Sequence, residues 1–349
     1  MKWKIEPYDI NNEIQTSKWN KSYLYHLSAP AVDQPGFLLP FFNKYKIDTI
    51  YLLIGEKENE TVCVLPLVIN IRQRFFLKWR ELGFLYHSHI WLHALPGVEF
   101  PSLTEEWDKI IRASEVIPAK WSKFVLRNAQ VANTPLSHSD NQVSIFDTQS
   151  HKELTDIISK KLIKNLFRLR KKHYPDIGDC LITTYTESTI YEGFEKFITA
   201  ETSGWKGKSD SVINTHSVIQ EIYKETFGST YNTFNAVIYI YGTGDCDIAG
   251  AFGYKSGNCL YLHSINFDSK YSYLSPGSQL MHDILELANL DPTIDEVNLV
   301  TDPEWAKRWH PHKRALVNLS TYKRSIKGFF LEIAIKTFNY IKKSYKKYK

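Results

Sequence analysis
One stretch, residues 259–290, constrains the fold more than any other. It opens with Cys-Leu-Tyr-Leu-His-Ser-Ile-Asn-Phe, whose β-forming residues predict a strand over 259–267. It closes with Gln-Leu-Met-His-Asp-Ile-Leu-Glu-Leu-Ala-Asn-Leu, where Leu280, Ile284, Leu287 and Ala288 fall at helical spacing. Between them, Ser275-Pro276-Gly277-Ser278 signals a helix start. Pro276 fixes the entry, Gly277 permits a tight turn, and Ser278 is placed to cap free N–H groups. A second strand is predicted at 296–300. Strand, loop, helix and parallel strand form a crossover unit. The start of its helix offers unpaired N–H groups and a partial positive charge, a combination that suits a phosphate as well as an ordinary capped turn.

The chain has 349 residues, enough for two domains of ordinary size. At 43% hydrophobic and 23% charged residues, a packed globular protein is expected rather than disorder, and the order of strands and helices read along it makes the class α/β (α+β). No apolar run reaches membrane-spanning length, and the N-terminus lacks the apolar core of a signal peptide. Cys63, Cys180, Cys246 and Cys259 are scattered, so neither a disulfide framework nor a zinc site is expected, and the cytoplasm is the expected compartment. The net charge of +5 is uneven: residues 324–349 hold eight Lys or Arg and one acid, leaving 35 basic against 37 acidic side chains elsewhere. A near-neutral body argues against a DNA-binding face.

Residues 1–48 read as aromatic and irregular, with helical pieces near 17–27 and 37–45. Strands are expected at 49–55 and 61–71, where Pro66 hints at an edge or a bulge. Further strands are expected at 79–84, 123–127 and 142–146, with a helix at 103–114. A basic helix follows over 152–173, stopped by Pro175 and Gly178. Next come a strand at 180–185 and helices at 190–199 and 216–227, then a three-strand meander over 235–267. A last strand is expected at 315–319. The hairpin at 49–71 resembles the one at 235–254, which hints at two related half-molecules. The tail, 324–349, mixes apolar and basic residues. It suits an amphipathic helix resting on anionic lipid, or one docked on the body.

Three segments resemble the CelD-type (cellulose-biosynthesis) acyltransferases, a branch of the GNAT superfamily. They are Lys160-Lys-Leu-Ile-Lys-Asn-Leu-Phe-Arg-Leu-Arg-Lys172, Glu201-Thr-Ser-Gly-Trp-Lys-Gly207 and Tyr273-Leu-Ser-Pro-Gly-Ser-Gln-Leu280. Val64-Leu-Pro-Leu-Val68 resembles the family's first-half hairpin. One element departs: the family's Gly-Asp/Glu-x-x-Tyr-Lys is here Thr301-Asp-Pro-Glu-Trp-Ala306, with Lys307 one step late. The resemblance implies two tandem GNAT-like domains, each a mixed sheet flanked by helices, similar to the Fem-type transferases. The divisions would be 1–150, 151–323 and a basic amphipathic tail, 324–349.

It further implies transfer from acetyl-CoA or another acyl-CoA to a carbohydrate or amine acceptor in polysaccharide biosynthesis. The coenzyme would lie in a splay between two parallel strands, contacted by Ser264, Ile265, Ser275, Gly277, Ser278 and Gln279. Trp205, Lys206 and Trp305 would touch the acceptor. Glu201, His263 and Asp268 are the candidates for the base that takes the acceptor's proton. His87, His89 and His93, or His310 and His312, lack partners at metal-ligand spacing, so no metal is expected. Two other readings stand beside this one. The protein is a non-catalytic assembly factor, favoured by the altered 301–306 element, or it takes its group from aminoacyl-tRNA held by the basic helix. On any of these readings the chain works in the cytoplasm or on the inner face of the membrane.

Overall fold
The computed structural model describes residues 2–23, 31–47, 49–74, 77–83, 123–129, 141–148, 158–204, 217–323 and 325–347. The helix expected at 103–114 lies outside them. The first half contains β1 (Lys2–Tyr8), α1 (Glu13–Ser22), α2 (Pro35–Lys44), β2 (Ile50–Lys57), β3 (Glu60–Arg74), β4 (Leu77–Gly83), β5 (Lys123–Ala129) and β6 (Asn141–Asp147). The second contains α3 (Lys160–Ile177), β7 (Leu181–Thr186), α4 (Ile190–Ser203), α5 (Ser217–Phe227), β8 (Phe234–Thr243), β9 (Cys246–Ser256) and β10 (Cys259–Phe267). It continues through α6 (Pro276–Leu290), β11 (Glu296–Asn298) and β12 (His312–Tyr322), and α7 (Ile326–Lys347) follows.

The strands follow the order β1-β2-β3-β4-β5-β12-β6-β11-β10-β9-β8-β7. Read from either end, four antiparallel strands are followed by one parallel neighbour: β4 beside β5 at one side, β10 beside β11 at the other. Two helices separate the first and second strands of each set, α1 and α2 or α4 and α5. The hairpin likeness seen in sequence therefore extends to a repeated mixed α/β topology. The halves join at β12. Its residues 312–316 pair with β6 and its residues from Val317 to Tyr322 pair with β5. β6 lies between β12 and β11, inside the second half's sheet.

Several expectations are corrected. Residues 2–8 are a strand, not irregular chain, and pair with β2 over their whole length. α3 runs through Pro175 and ends only at Gly178, whose φ of 90° favours glycine. α4 runs four residues past 199. Thr202 Oγ1 and Ser203 Oγ donate hydrogen bonds to the carbonyls of Ile198 and Thr199, so the helix accommodates both hydroxyls in its last turn. Pro66 stands in a strand flanked by two others, but the β4 pairing starts only at Val68.

Two apolar cores lie on opposite sides of the second half's sheet. One joins α1, α2, β2 and β3 to α4, α5, β8 and β9, with Phe37 edge-on to Tyr223 and Tyr254. The halves thus share a continuous buried interior. The other core packs α3 and α6 against β8, β9 and β10. Leu280, Ile284 and Ala288 face it as expected, while Leu287 is 38% exposed and Met281 takes its place inside.

The segment after β11 is anchored by a partly buried network. Asp302 Oδ1 accepts from Ser144 Oγ of β6 at 2.7 Å and from Lys313 Nζ of β12. Burial alone would raise the Asp302 pKa, but the Lys313 and Ser144 bonds outweigh it and hold the group below its ordinary 3.8. A depressed carboxylate contributes stability above its unfolded pKa and loses it as pH falls through the folded value. Asp302→Asn is therefore expected to cost about 1–3 kcal/mol in urea unfolding at neutral pH. The difference from the unaltered chain should shrink in acid, as 3.8 is passed downward.

Candidate active site
The parallel pairing of β10 with β11 lasts three residue pairs, Cys259 with Glu296, Leu260 with Val297 and Tyr261 with Asn298. β10 then continues alone on that side to Phe267. Local geometry makes the parting. Asn298 Oδ1 accepts from the Val300 N–H at 2.8 Å, and Thr301 N donates to Leu299 O at 2.6 Å. Val300 sits at φ 62°, a region that β-branched residues rarely enter. β11 is turned away onto β6, where Ser144 O takes the Leu299 N–H at 2.9 Å.

β10 is shaped on its other side as well. Its register with β9 slips between Leu262 and Ser264, so His263 is the extra residue of a bulge. Beyond the bulge, Asn266 meets α4 and bonds Ser264, while Ile265 and Phe267 approach α6. Asn266 Nδ2 donates to Glu201 Oε1 and to Ser264 Oγ, each at 3.1 Å. A Cβ on Gly277 would lie 3.7 Å from Ile265 Cγ2 and 3.4 Å from Phe267 Cδ1, ordinary contacts. The bare strand thus runs between a carboxylate and a helix start, with His263, Ser264 and Ile265 half-buried along it.

The base candidates separate clearly. Glu201 lies in the last turn of α4, not in a loop, and is 2% exposed. Gly204 lets that turn reach the strand, because a Cβ there would meet Phe267 O at 2.6 Å. His263 stands edge-on to Tyr254, ring centroids 5.2 Å apart. Asp268 accepts from the Lys270 N–H at 2.9 Å and so caps the following turn. Trp205 and Lys206 lie outside the described residues. Trp305 is exposed on the short helical segment Glu304–Trp309.

At the helix start, the cap is Ser275, left-handed at φ 53°, and not Ser278. Ser275 and Gly277 are half-buried. The Ser278 hydroxyl accepts instead from Arg308, which brings the Glu304–Trp309 segment against the helix tip. Arg308 has no carboxylate partner among the described residues. Gln279 is committed to packing: its amide accepts from Arg170 Nε at 2.7 Å and donates to Leu166 O at 3.2 Å. Sequence reading passed over Arg308, whose partner lies thirty residues away. It also passed over Asn266, although the strand itself was predicted. Asn266 is 1% exposed and its Oδ1 meets no donor.

His282, Asp283 and Glu286 come within 4.8 Å of one another. Asp283 is already met by Arg170 Nη2 at 2.5 Å and by His282 Nδ1 at 2.9 Å. The group reads as a polar tie between α3 and α6.

Residues 164–314 match the family model of the acetyltransferase (GNAT) domain. They cover β10, α6, β11 and the gap between them, so the chain carries a GNAT-type acyltransferase domain, a class that uses an acyl-CoA donor. No curated protein matches the sequence. Among solved structures the chain is similar to FemX, at 9% identity and a TM-score of 0.54, covering 90% of this chain and 96% of that one. It is similar to the C-terminal domain of a protein from Agrobacterium fabrum described as a lysylphosphatidylglycerol synthetase, at 10% identity and TM-score 0.51, covering 93% and 97%. A Bacteroides thetaiotaomicron protein of unknown function gives 11% identity and TM-score 0.52, covering 91% and 99%. At such identities the likeness is one of fold, and it embraces both halves.

The parting of β10 and β11 rests on one side-chain amide. Asn298 is 2% exposed, so Asn298→Ala leaves the Val300 N–H without its acceptor. The expected cost is about 1–3 kcal/mol in denaturant unfolding. Asn298→Asp should not recover it, because the Nδ2 donor to Glu296 Oε1 at 3.1 Å is lost and two carboxylates are brought together.

Proposed function
We propose that the protein is an acyl-CoA-dependent N- or O-acyltransferase of the CelD-type branch, acting on a sugar, a polysaccharide precursor or a related amine or hydroxyl. The observation that carries this reading is the bare edge of β10 beyond Tyr261, beside the half-buried start of α6. Such an edge offers main-chain groups to an amide-bearing arm such as pantetheine. The α6 start offers N–H groups and a positive dipole end to a diphosphate. Arg308 adds a cation at that point, held through Ser278.

The residues divide the chemistry between two faces of one strand. Amides near the His263 bulge would receive the thioester carbonyl and stabilise the oxyanion as charge develops. The acceptor enters from the α4 side. Its nitrogen or oxygen forms the new bond to the acyl carbon, and Glu201 takes the proton it sheds. The carbon–sulfur bond then breaks, and the coenzyme leaves as a thiol after protonation. Asn266 holds the Glu201 carboxylate by donation, which leaves its unpartnered Oδ1 to receive an N–H or O–H of the acceptor. His263 remains an alternative base. Asp268, spent on its turn, is the weaker candidate.

A second reading has one specific observation behind it. Lys160, Lys161, Lys164, Arg168, Lys171 and Lys172 are all exposed on α3, a surface that suits a polyanion such as aminoacyl-tRNA. Calorimetry separates the two. Acetyl-CoA should bind the full chain directly, and absence of heat with acetyl-CoA but binding of tRNA would favour the second. Given acyl-CoA binding, Glu201→Gln should lower kcat at least about a hundredfold while leaving coenzyme affinity intact. Arg308→Ala should raise KM for acyl-CoA about tenfold with kcat nearly unchanged.

A further inference from the structure
The helix α7 is apolar on two sides. Its inner side packs on β12, where Leu331 and Ile335 are buried. Gly328 shares that side: a Cβ there would meet Lys323 O at 2.0 Å, so the first turn is pressed against the chain that leads into it. This close approach fixes which side faces outward. The outer side carries Ile326, Phe329, Phe330, Ile333, Tyr340 and Ile341, exposed by 80, 61, 65, 47, 74 and 53%. Ile326, Phe329, Phe330 and Ile333 follow in three- and four-residue steps, and Tyr340 and Ile341 resume the same side seven residues further along. Phe329 and Phe330 stand edge-to-face with centroids 6.1 Å apart, both open to solvent. A stripe of this size on an outer surface marks an interaction face.

We propose that this outer face docks on the surface of an anionic lipid bilayer. The charge around the stripe selects that occupant. Residues 324–349 hold eight basic residues against Glu332 alone, and Glu332 is paired with Lys336 at 2.6 Å. Lys342, Lys343, Lys346 and Lys347 occupy the last two turns of the helix. A second copy of this chain would set like charge against like charge across the face. An anionic headgroup layer supplies the opposite charge and a layer in which aromatic and branched side chains are buried. No helix among the described residues is long and apolar enough to cross a membrane, so α7 lies in the surface plane. The proposal goes beyond the transferase reading and stands or falls separately from it.

Vesicle co-sedimentation of the full chain, without acyl-CoA, tests it. Binding is expected to phosphatidylcholine vesicles containing about a third phosphatidylglycerol at about 0.1 M salt, and to fall at about 0.5 M. Vesicles of phosphatidylcholine alone should retain little protein. Both exposed rings can be replaced without touching the core, so Phe329→Ser with Phe330→Ser should lower the bound fraction at least about tenfold. Circular dichroism of that variant should match the unaltered chain. No binding to the anionic vesicles, binding to both vesicle types alike, or binding indifferent to the double substitution would overturn the proposal. So would sedimentation equilibrium showing a dimer that the same substitutions dissolve, which would assign the face to a second copy.

Discussion

The organisation of the second half depends on a hydrogen-bond ladder that stops early. Parallel strands ordinarily exchange bonds along their shared length, and each unpaired main-chain group left in a dry interior carries a cost. Here β10 and β11 exchange them for three residue pairs and then separate. The separation is bearable because each strand finds other partners or solvent. The Leu299 N–H after β11 goes to Ser144 O of β6, and the Val300 N–H donates to Asn298 Oδ1. β10 is left with its β9 ladder, broken by one extra residue at His263. A conformational outlier at Val300 and a bulge at His263 thus flank the same gap, and the surrounding network holds both in place.

What borders the gap follows from strand alternation after the bulge. The side chain at 266 meets α4 and bonds the one at 264, and those at 265 and 267 approach α6. The two faces of the bare strand therefore have different chemistry. One carries a buried carboxylate and an amide with a spare acceptor; the other carries a helix start with Arg308 beside it. Acyl transfer needs this division, with anion-binding groups for the donor and proton-accepting groups for the acceptor. A single strand separates the two sets of groups.

Much of this was legible in the sequence because it is local. The strand, the Ser-Pro-Gly turn and the α6 helix are read from alternation, a breaker cluster and helical spacing within some thirty residues. What escaped is non-local. Arg170 and Gln279 are 109 residues apart, and Glu201 and Asn266 are 65 apart. No periodicity links such pairs. Even the local reading failed where a residue type has two uses. The helix expected to end at 199 continues to Ser203, with the hydroxyls of Thr202 and Ser203 bonding back along it, and carries Glu201 in its last turn. Ser278 was read as a cap and is instead the acceptor for Arg308. Strand β1 was missed although its alternation is plain, with Lys2, Lys4 and Glu6 on one face and Trp3 and Ile5 on the other.

The repeated topology raises the question of why the two halves do not behave as independent units. The answer lies in how they are joined. β12 belongs to both sheets in succession, first beside β6 and then beside β5. The core of the first half continues into the α4 and α5 side of the second. That side is the one that carries Glu201. The first half packs on α5 and β9 through Phe37 against Tyr223 and Tyr254, while α4 is held on the sheet from within the second half by Phe194 and Phe197 against Phe252. Gly204 then allows the end of α4 to close on the end of β10. A helix held this way keeps a carboxylate beside the bare strand without any covalent or metal restraint among the described residues. The duplicated architecture thus meets this side of the sheet through packing, in the same continuous core that holds the helix carrying Glu201.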